Sequence, residues 1–111
     1  MIDVTNNAEQ QRYEATVDGA PAGFSRYHLT DELITFSHTE VDLAHEGRGV
    51  GSAIFRFALD EVRADGTRKV YAMCPFMRDW LARHGEYADL VYDDPEATAT
   101  RGIADPDSAF D

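Results

Sequence analysis

The stretch Glu46-Gly47-Arg48-Gly49-Val50-Gly51-Ser52 constrains this chain more than any other, because of what lies on either side of it. Upstream, Leu33 to Val41 (LITFSHTEV) is dominated by β-branched and aromatic residues and predicts a β-strand. Downstream, Ala53, Ile54, Phe57, Ala58 and Val62 recur at helical spacing, with Gly66 as the stop. A glycine-rich turn from strand into helix presents backbone N–H groups at the positive end of the helix dipole, which is an anion-binding arrangement. Glycine suits it because a Cβ would restrict φ and hold a phosphate away from the amides. The spacing is G-x-G-x-G. It matches neither the dinucleotide fingerprint G-x-G-x-x-G nor a P-loop, since no Lys follows Gly51.

The rest of the pattern predicts one α+β domain over residues 10–92. Residues 1–9 hold little apolar content and read as a flexible lead-in. Arg12 to Val17 is a strand, Asp18-Gly19-Ala20-Pro21 a turn, and Ala22 to Leu29 a second strand that pairs back. Thr30-Asp31-Glu32 then turns into the Leu33 strand, completing an antiparallel meander. A helix over about 49–65 leads to a strand from Arg68 to Met73 or Cys74. A strand–helix–strand crossover makes that strand parallel to the Leu33 strand. Pro75 suits the first turn of a second helix running to about His84, whose apolar face is Phe76, Met77, Trp80 and Leu81. Tyr87 to Tyr92 reads as a short final strand or extended segment. From Asp93 to Asp111 the chain is acidic, with Pro95 and Pro106, and reads as a disordered tail.

Charge and cysteine usage narrow the partners. Of the net charge of −11, residues 1–45 hold 2 basic and 8 acidic groups and residues 85–111 hold 1 and 8, whereas residues 46–84 hold 7 and 5. The segment with the glycine turn is thus the one place where a polyanion meets local positive charge. The overall sign argues against nucleic acid. No apolar run approaches the ~20 residues needed to span a bilayer, no signal peptide is visible, and the single cysteine excludes an intrachain disulfide. These point to the cytoplasm.

Glu46 to Gly51 resembles the pyrophosphate-binding loop of the Gcn5-related N-acetyltransferases, Q/R-x-x-G-x-G/A, with Glu46 standing where Gln or Arg is usual. Lys69-Val70-Tyr71-Ala72-Met73-Cys74-Pro75-Phe76 and then Trp80 to Leu90 are similar to the C-terminal half of a small single-domain subfamily. Its pattern is a strand ending in C-P-F/Y, a short helix, and an R-H-P-E-Y-x-D-L run, with Gly85 here in place of Pro. His38-Thr39-Glu40-Val41 matches the same subfamily. The resemblance implies a minimal version of that fold: a mixed sheet with an antiparallel N-terminal meander and two helices. It also implies acetyl-CoA as co-substrate and an amine acceptor. The pyrophosphate would lie on Gly47, Arg48, Gly49, Val50, Gly51 and Ser52, and the pantetheine would run beside Val41, Asp42 and Leu43. Larger members insert helices between their first two strands; here a tight turn joins them, leaving a more open acceptor side that suits an amine on a peptide or protein.

Acetyl transfer to an amine needs a neutral amine, a polarised carbonyl and a proton for the departing thiolate. Cys74 stands at a strand end and helix start, where a thiol can act as nucleophile or assist at the sulfur, or simply be a buried small residue. On the Leu33 strand, parity places Ile34, Phe36, His38 and Glu40 on one face. His38 with Glu40 can take the amine's proton, or both can be ordinary sheet and surface residues. Tyr87 and Tyr92 are further candidates to protonate the thiolate, and nothing local selects one. No cluster has metal-ligand spacing. The alternative from another class is a non-catalytic acyl-CoA-binding or interaction module on the same fold.

Overall fold

The structure, a computed structural model, describes residues 1–92; the expected acidic tail, 93–111, lies outside them. Strands β1 (Ile2–Asn7), β2 (Arg12–Val17), β3 (Ala20–Leu29) and β4 (Leu33–Val41) form the antiparallel part of a five-stranded sheet in the order β1-β2-β3-β4-β5. Helix α1 (Val50–Asp65) crosses over to β5 (Lys69–Ala72), which pairs parallel with β4. Helix α2 (Pro75–Ala82) follows, with Pro75 in its first turn and Cys74 as its N-cap.

Side-chain alternation explains the core. Tyr13, Ala15, Tyr27, Ile34 and Phe36 are buried on one sheet face, and the rings of Tyr13 and Tyr27 lie 5.2 Å apart. Against them α1 buries Ile54, Phe55, Ala58, Leu59 and Val62, an apolar stripe at helical period. Phe55 makes edge contacts with Phe76 at 5.2 Å and Trp80 at 5.6 Å, so both helices share this face of the sheet. The opposite face carries exposed Arg26, His38 and Glu40.

The lead-in expected over residues 1–9 is instead strand β1, paired with β2 from Ile2↔Val17 to Asn7↔Arg12. Ile2 and Val4 pack against the core, and the Tyr27 hydroxyl donates to Asn6 Oδ1 at 2.7 Å. The expected four-residue turn at 18–21 is shorter, because Ala20 and Pro21 already pair with Val17 and Thr16. The segment expected as a final strand, Tyr87 to Tyr92, is mostly a 3-10 turn over Gly85–Leu90, followed by one parallel bridge between Val91 and Val70. Tyr87 and Leu90 are its buried residues, and their three-residue spacing is the 3-10 period.

The core tyrosines make stability depend on pH. Burial first, and then the hydrogen bond from Tyr13 to Glu61 Oε1 at 2.9 Å, raise the Tyr13 pKa well above that of a free phenol. Burial also raises Tyr27 and, ahead of the Asp60 contact, Tyr87. A raised folded pKa gives stability that is complete below the unfolded value, about 10, and is lost as pH climbs from there toward the folded value. Urea midpoints should therefore fall above about pH 10, and Tyr13→Phe should show a shallower alkaline loss than the wild type. Parallel alkaline limbs for the two proteins would contradict this assignment.

Candidate functional site

The chain leaves β4 through a 3-10 turn, Leu43–His45, capped by Asp42, whose Oδ1 accepts the Ala44 amide at 2.9 Å. The glycine turn follows, with Gly47 at φ +80 and Gly49, the N-cap of α1, at φ +83. The bond from the Ala53 amide to the Gly49 carbonyl, 2.9 Å, opens the α1 ladder. The amides of Val50, Gly51 and Ser52 therefore precede the ladder and have no backbone acceptor among the described residues, nor do those of Gly47 and Gly49. The Arg48 amide is different: it donates to the His45 carbonyl at 3.3 Å.

Side chains in this loop divide sharply. Val50 is buried in the core, and Ser52 Oγ accepts the Trp80 indole N–H at 2.9 Å, so these two residues offer a ligand only their amides. A Cβ on Gly51 would meet the Phe76 ring at 2.7 Å; that glycine serves helix–helix packing. At Gly47 and Gly49 a Cβ would touch nothing within 4 Å, so the backbone conformation alone demands glycine there. The Arg48 side chain has no hydrogen-bond or ion-pair partner among the described residues.

Beside this loop the sheet opens. The amides of Met73 and Cys74 both donate to the Phe36 carbonyl, at 3.0 and 3.1 Å, and beyond that point β4 and β5 part. Residues 37–41 of β4 keep β3 on one side and, among the described residues, have no strand on the other. The result is a slot that starts at Phe36 and Cys74, with exposed Leu43 on the turn after β4 and exposed Met73 and Phe76 on the segment after β5.

Within β4 the side chains change faces. Tyr27 pairs with Phe36 but Arg26 pairs with His38, so Ser37 is an extra residue, a β-bulge. One inserted residue reverses the parity of all that follow. Thr39, and not His38 or Glu40, continues the face of Ile34 and Phe36. Its Oγ1 lies 2.9 Å from Ser25 Oγ and 3.4 Å from Cys74 Sγ. Close approach at this end also requires Gly23, where a Cβ would stand 2.6 Å from the Glu40 carbonyl oxygen.

The expected single face of Ile34, Phe36, His38 and Glu40 is thus corrected. His38 Nε2 does pair with Glu40 Oε2 at 2.8 Å, but both side chains are exposed on the open face, near Phe24. Cys74, 4 % exposed, lies on the helix face with Thr39. The structure joins His38 to Glu40 and separates that pair from Cys74. A cavity of about 350 Å³ adjoins Glu40 on β4, lined among others by Arg12, Glu14, Phe24, Val41 and Asp42. Tyr87 is removed from the thiolate-protonation candidates, because its hydroxyl donates to Asp60 on α1 at 2.9 Å. Tyr92 packs edge-on to Tyr71 at 6.3 Å.

The Arg83-to-Leu90 run serves the fold. His84 stacks on Trp80 at 3.7 Å, Glu86 pairs with Arg56 at 3.1 Å, and Asp89 with Arg63 at 2.9 Å. Together they strap the C-terminal segment onto α1. No group of three or more metal-ligating side chains occurs among the described residues, and no helix among them is long and apolar enough to cross a membrane.

The model of a family described as GCN5-related N-acetyl-transferase matches residues 12–90, well over half of the chain. The chain belongs to this family. Its members are acyltransferases that generally use acetyl-CoA and an acceptor, and the mixed sheet found here is their fold. A GCN5-like protein from Staphylococcus aureus, solved in solution, superposes with a TM-score of 0.61 at 18% identity, covering 83% of this chain and 89% of that one. The ribosomal-protein-S18-alanine N-acetyltransferase of Escherichia coli superposes with a TM-score of 0.54 at 22% identity, over 60% of this chain and 44% of that one. The ribosomal-protein-alanine N-acetyltransferase of Brucella melitensis biovar Abortus 2308 gives 0.53 at 23%, over 58% and 49%. The chain spans less than half the length of these last two. No curated protein matches it at a significant level.

In this family member the loop's demand for glycine can be tested apart from any ligand. Gly49→Ala should lower the unfolding free energy by about 1–2 kcal/mol, and Gly49→Asn by less, because Asn tolerates the left-handed region. Gly51→Ala should cost less than Gly49→Ala, since the half-exposed Phe76 ring can swing aside. Urea titration checks the order; equal costs at Gly49 for Ala and Asn would contradict it.

Proposed function

We propose that the protein binds acetyl-coenzyme A along the slot between β4 and β5 and transfers the acetyl group to an amine. The observation that carries this reading is the set of free amides on Gly47, Gly49, Val50, Gly51 and Ser52 at the start of α1, directly beside the slot. Amides left without a backbone acceptor among the described residues, in and just before the first turn of a helix, suit a pyrophosphate. Arg48 supports them through its unpaired guanidinium rather than its amide. The unpaired edge of β4 up to Val41, with Asp42 and Leu43 after it, offers a strand-like partner to the amides of pantetheine, and Leu43, Met73 and Phe76 offer it apolar contact.

A thioester seated there is approached from both sheet faces. On the open face His38, backed by Glu40, takes the proton that the acceptor amine must lose. On the helix face Cys74 assists at the departing sulfur. Among the described residues no helix covers the open face, since tight connections join β1 through β4, and this supports an amine displayed on a peptide or protein as acceptor. A cytoplasmic setting agrees with a single free thiol.

Direct attack by the amine is favoured over an acetyl-Cys74 intermediate, because a ternary complex supplies proximity without a covalent step. Initial-rate plots should therefore intersect, and Cys74→Ala should lower kcat only partly. Intact mass after incubation with acetyl-CoA alone should show no stable adduct. Parallel plots, a trapped acetyl-enzyme and an inactive Cys74→Ala would make Cys74 the nucleophile. Binding without turnover across a broad amine panel would make the protein an acyl-CoA-binding module.

A further inference from the structure

Ser25 is the one buried polar residue of the core among the described residues, fully inaccessible and on the same face as Tyr13 and Tyr27. Its hydroxyl has a single partner, Thr39 Oγ1 at 2.9 Å, and Thr39 Oγ1 lies 3.4 Å from Cys74 Sγ. A hydroxyl owns one proton and two acceptor sites. A fully buried O–H left without an acceptor is strongly disfavoured, so Ser25 donates to Thr39. Thr39 cannot then turn its own proton inward.

Two arrangements of the remaining protons satisfy the row. In one, Cys74 S–H donates to Thr39, and the Thr39 O–H faces the slot. In the other, Thr39 donates to the sulfur, and the S–H faces the slot. Both leave one proton unused within the row, on the pair that stands where β4 and β5 part. Burial of Ser25 fixes this polarity, and the Ser37 bulge is what puts Thr39 on the helix face at all.

We propose, resting on the transfer reading above, that Ser25 positions Thr39, and that Thr39 and Cys74 together hold one proton for the departing sulfur. The amine nitrogen bonds to the thioester carbonyl carbon, the C–S bond breaks, and its electron pair goes to the coenzyme A sulfur. That sulfur takes the proton facing the slot, from Cys74 directly or from Thr39 with the Cys74 proton moving up behind it. The proton lost by the amine passes through His38 to solvent, and solvent returns one to Cys74. The products are the acetylated amine and coenzyme A thiol.

Steady-state kinetics on Ser25→Ala, Thr39→Val and Thr39→Ser test this, with acetyl-CoA and any accepted amine. Thr39→Val should lower kcat about tenfold or more, and Ser25→Ala should lower it less, since Ala offers the Thr39 proton no inward acceptor and only frees its rotamer, while the KM for acetyl-CoA stays within about twofold. Thr39→Ser, which keeps the hydroxyl, should restore most of kcat. A Thr39→Val enzyme with wild-type kcat, or a Thr39→Ser enzyme as slow as Thr39→Val, would overturn the proposal; if Thr39→Val fails to fold, Thr39→Ala takes its place. Alkylation of Cys74 by iodoacetamide, followed by intact mass without any substrate, separates this proposal from the reading it rests on. It should be slower in Thr39→Val than in wild type and recover in Thr39→Ser. Wild-type protein that transfers no acetyl group overturns the transfer reading, whereas equal alkylation rates overturn the role given to Thr39.

Discussion

The Phe36 carbonyl accepts the amides of both Met73 and Cys74, and past that shared contact β4 pairs with no strand on its β5 side among the described residues. The slot, the placing of Cys74 and the reach of the glycine turn all follow from this parting. Strand β5 is only four residues long and gives way at once to a Pro-initiated helix, whereas β4 runs five residues further. Closing the gap with a longer β5 would cover the edge of β4 and bury the start of α1. The two helices instead meet through Phe55, Phe76 and Trp80, with the Trp80–Ser52 hydrogen bond tying α2 to the first turn of α1.

The bulge at Ser37 divides the site between two sheet faces. Without it, His38 and Glu40 would join Ile34 and Phe36 inside, and Thr39 would lie outside. With it, the hydrogen-bonded pair His38–Glu40 faces solvent while Thr39 reaches Cys74 and Ser25. A thioester in the slot is then flanked by different chemistry on each side. That suits a reaction in which a proton leaves one reactant and another arrives at the second.

Much of this was legible in the sequence, and the misses have physical causes. Strand β4, the α1 stop at Gly66 and the parallel β5 follow from propensity, capping and crossover handedness, and the structure keeps them. Parity failed inside β4 because a bulge is invisible to a strict two-residue period. The signal was nevertheless present, since the apolar residues run Ile34, Phe36 and then Val41, a switch from even to odd. Strand β1 was missed because its order comes from pairing with β2 and from the Tyr27–Asn6 bond, neither of which is local. Within the glycine loop the sequence could not tell that the Arg48 amide is taken by the His45 carbonyl, nor that Gly51 and Ser52 Oγ answer to α2. The family resemblance of residues 83–90 likewise drew attention to His84, Glu86, Tyr87 and Asp89, whose side-chain partners lie on α1 or α2 and not in the slot.

The account stands on the claim that the free amides at the start of α1 form an anion site for coenzyme A. A titration of the 15N-labelled protein with coenzyme A, followed by amide chemical shifts, tests it most directly. The account predicts large, saturable changes at Gly47, Gly49, Val50, Gly51 and Ser52, and smaller ones at Arg48, whose amide already bonds to His45. Shifts confined to the open face around Phe24 and His38, with the loop amides unmoved, would contradict it.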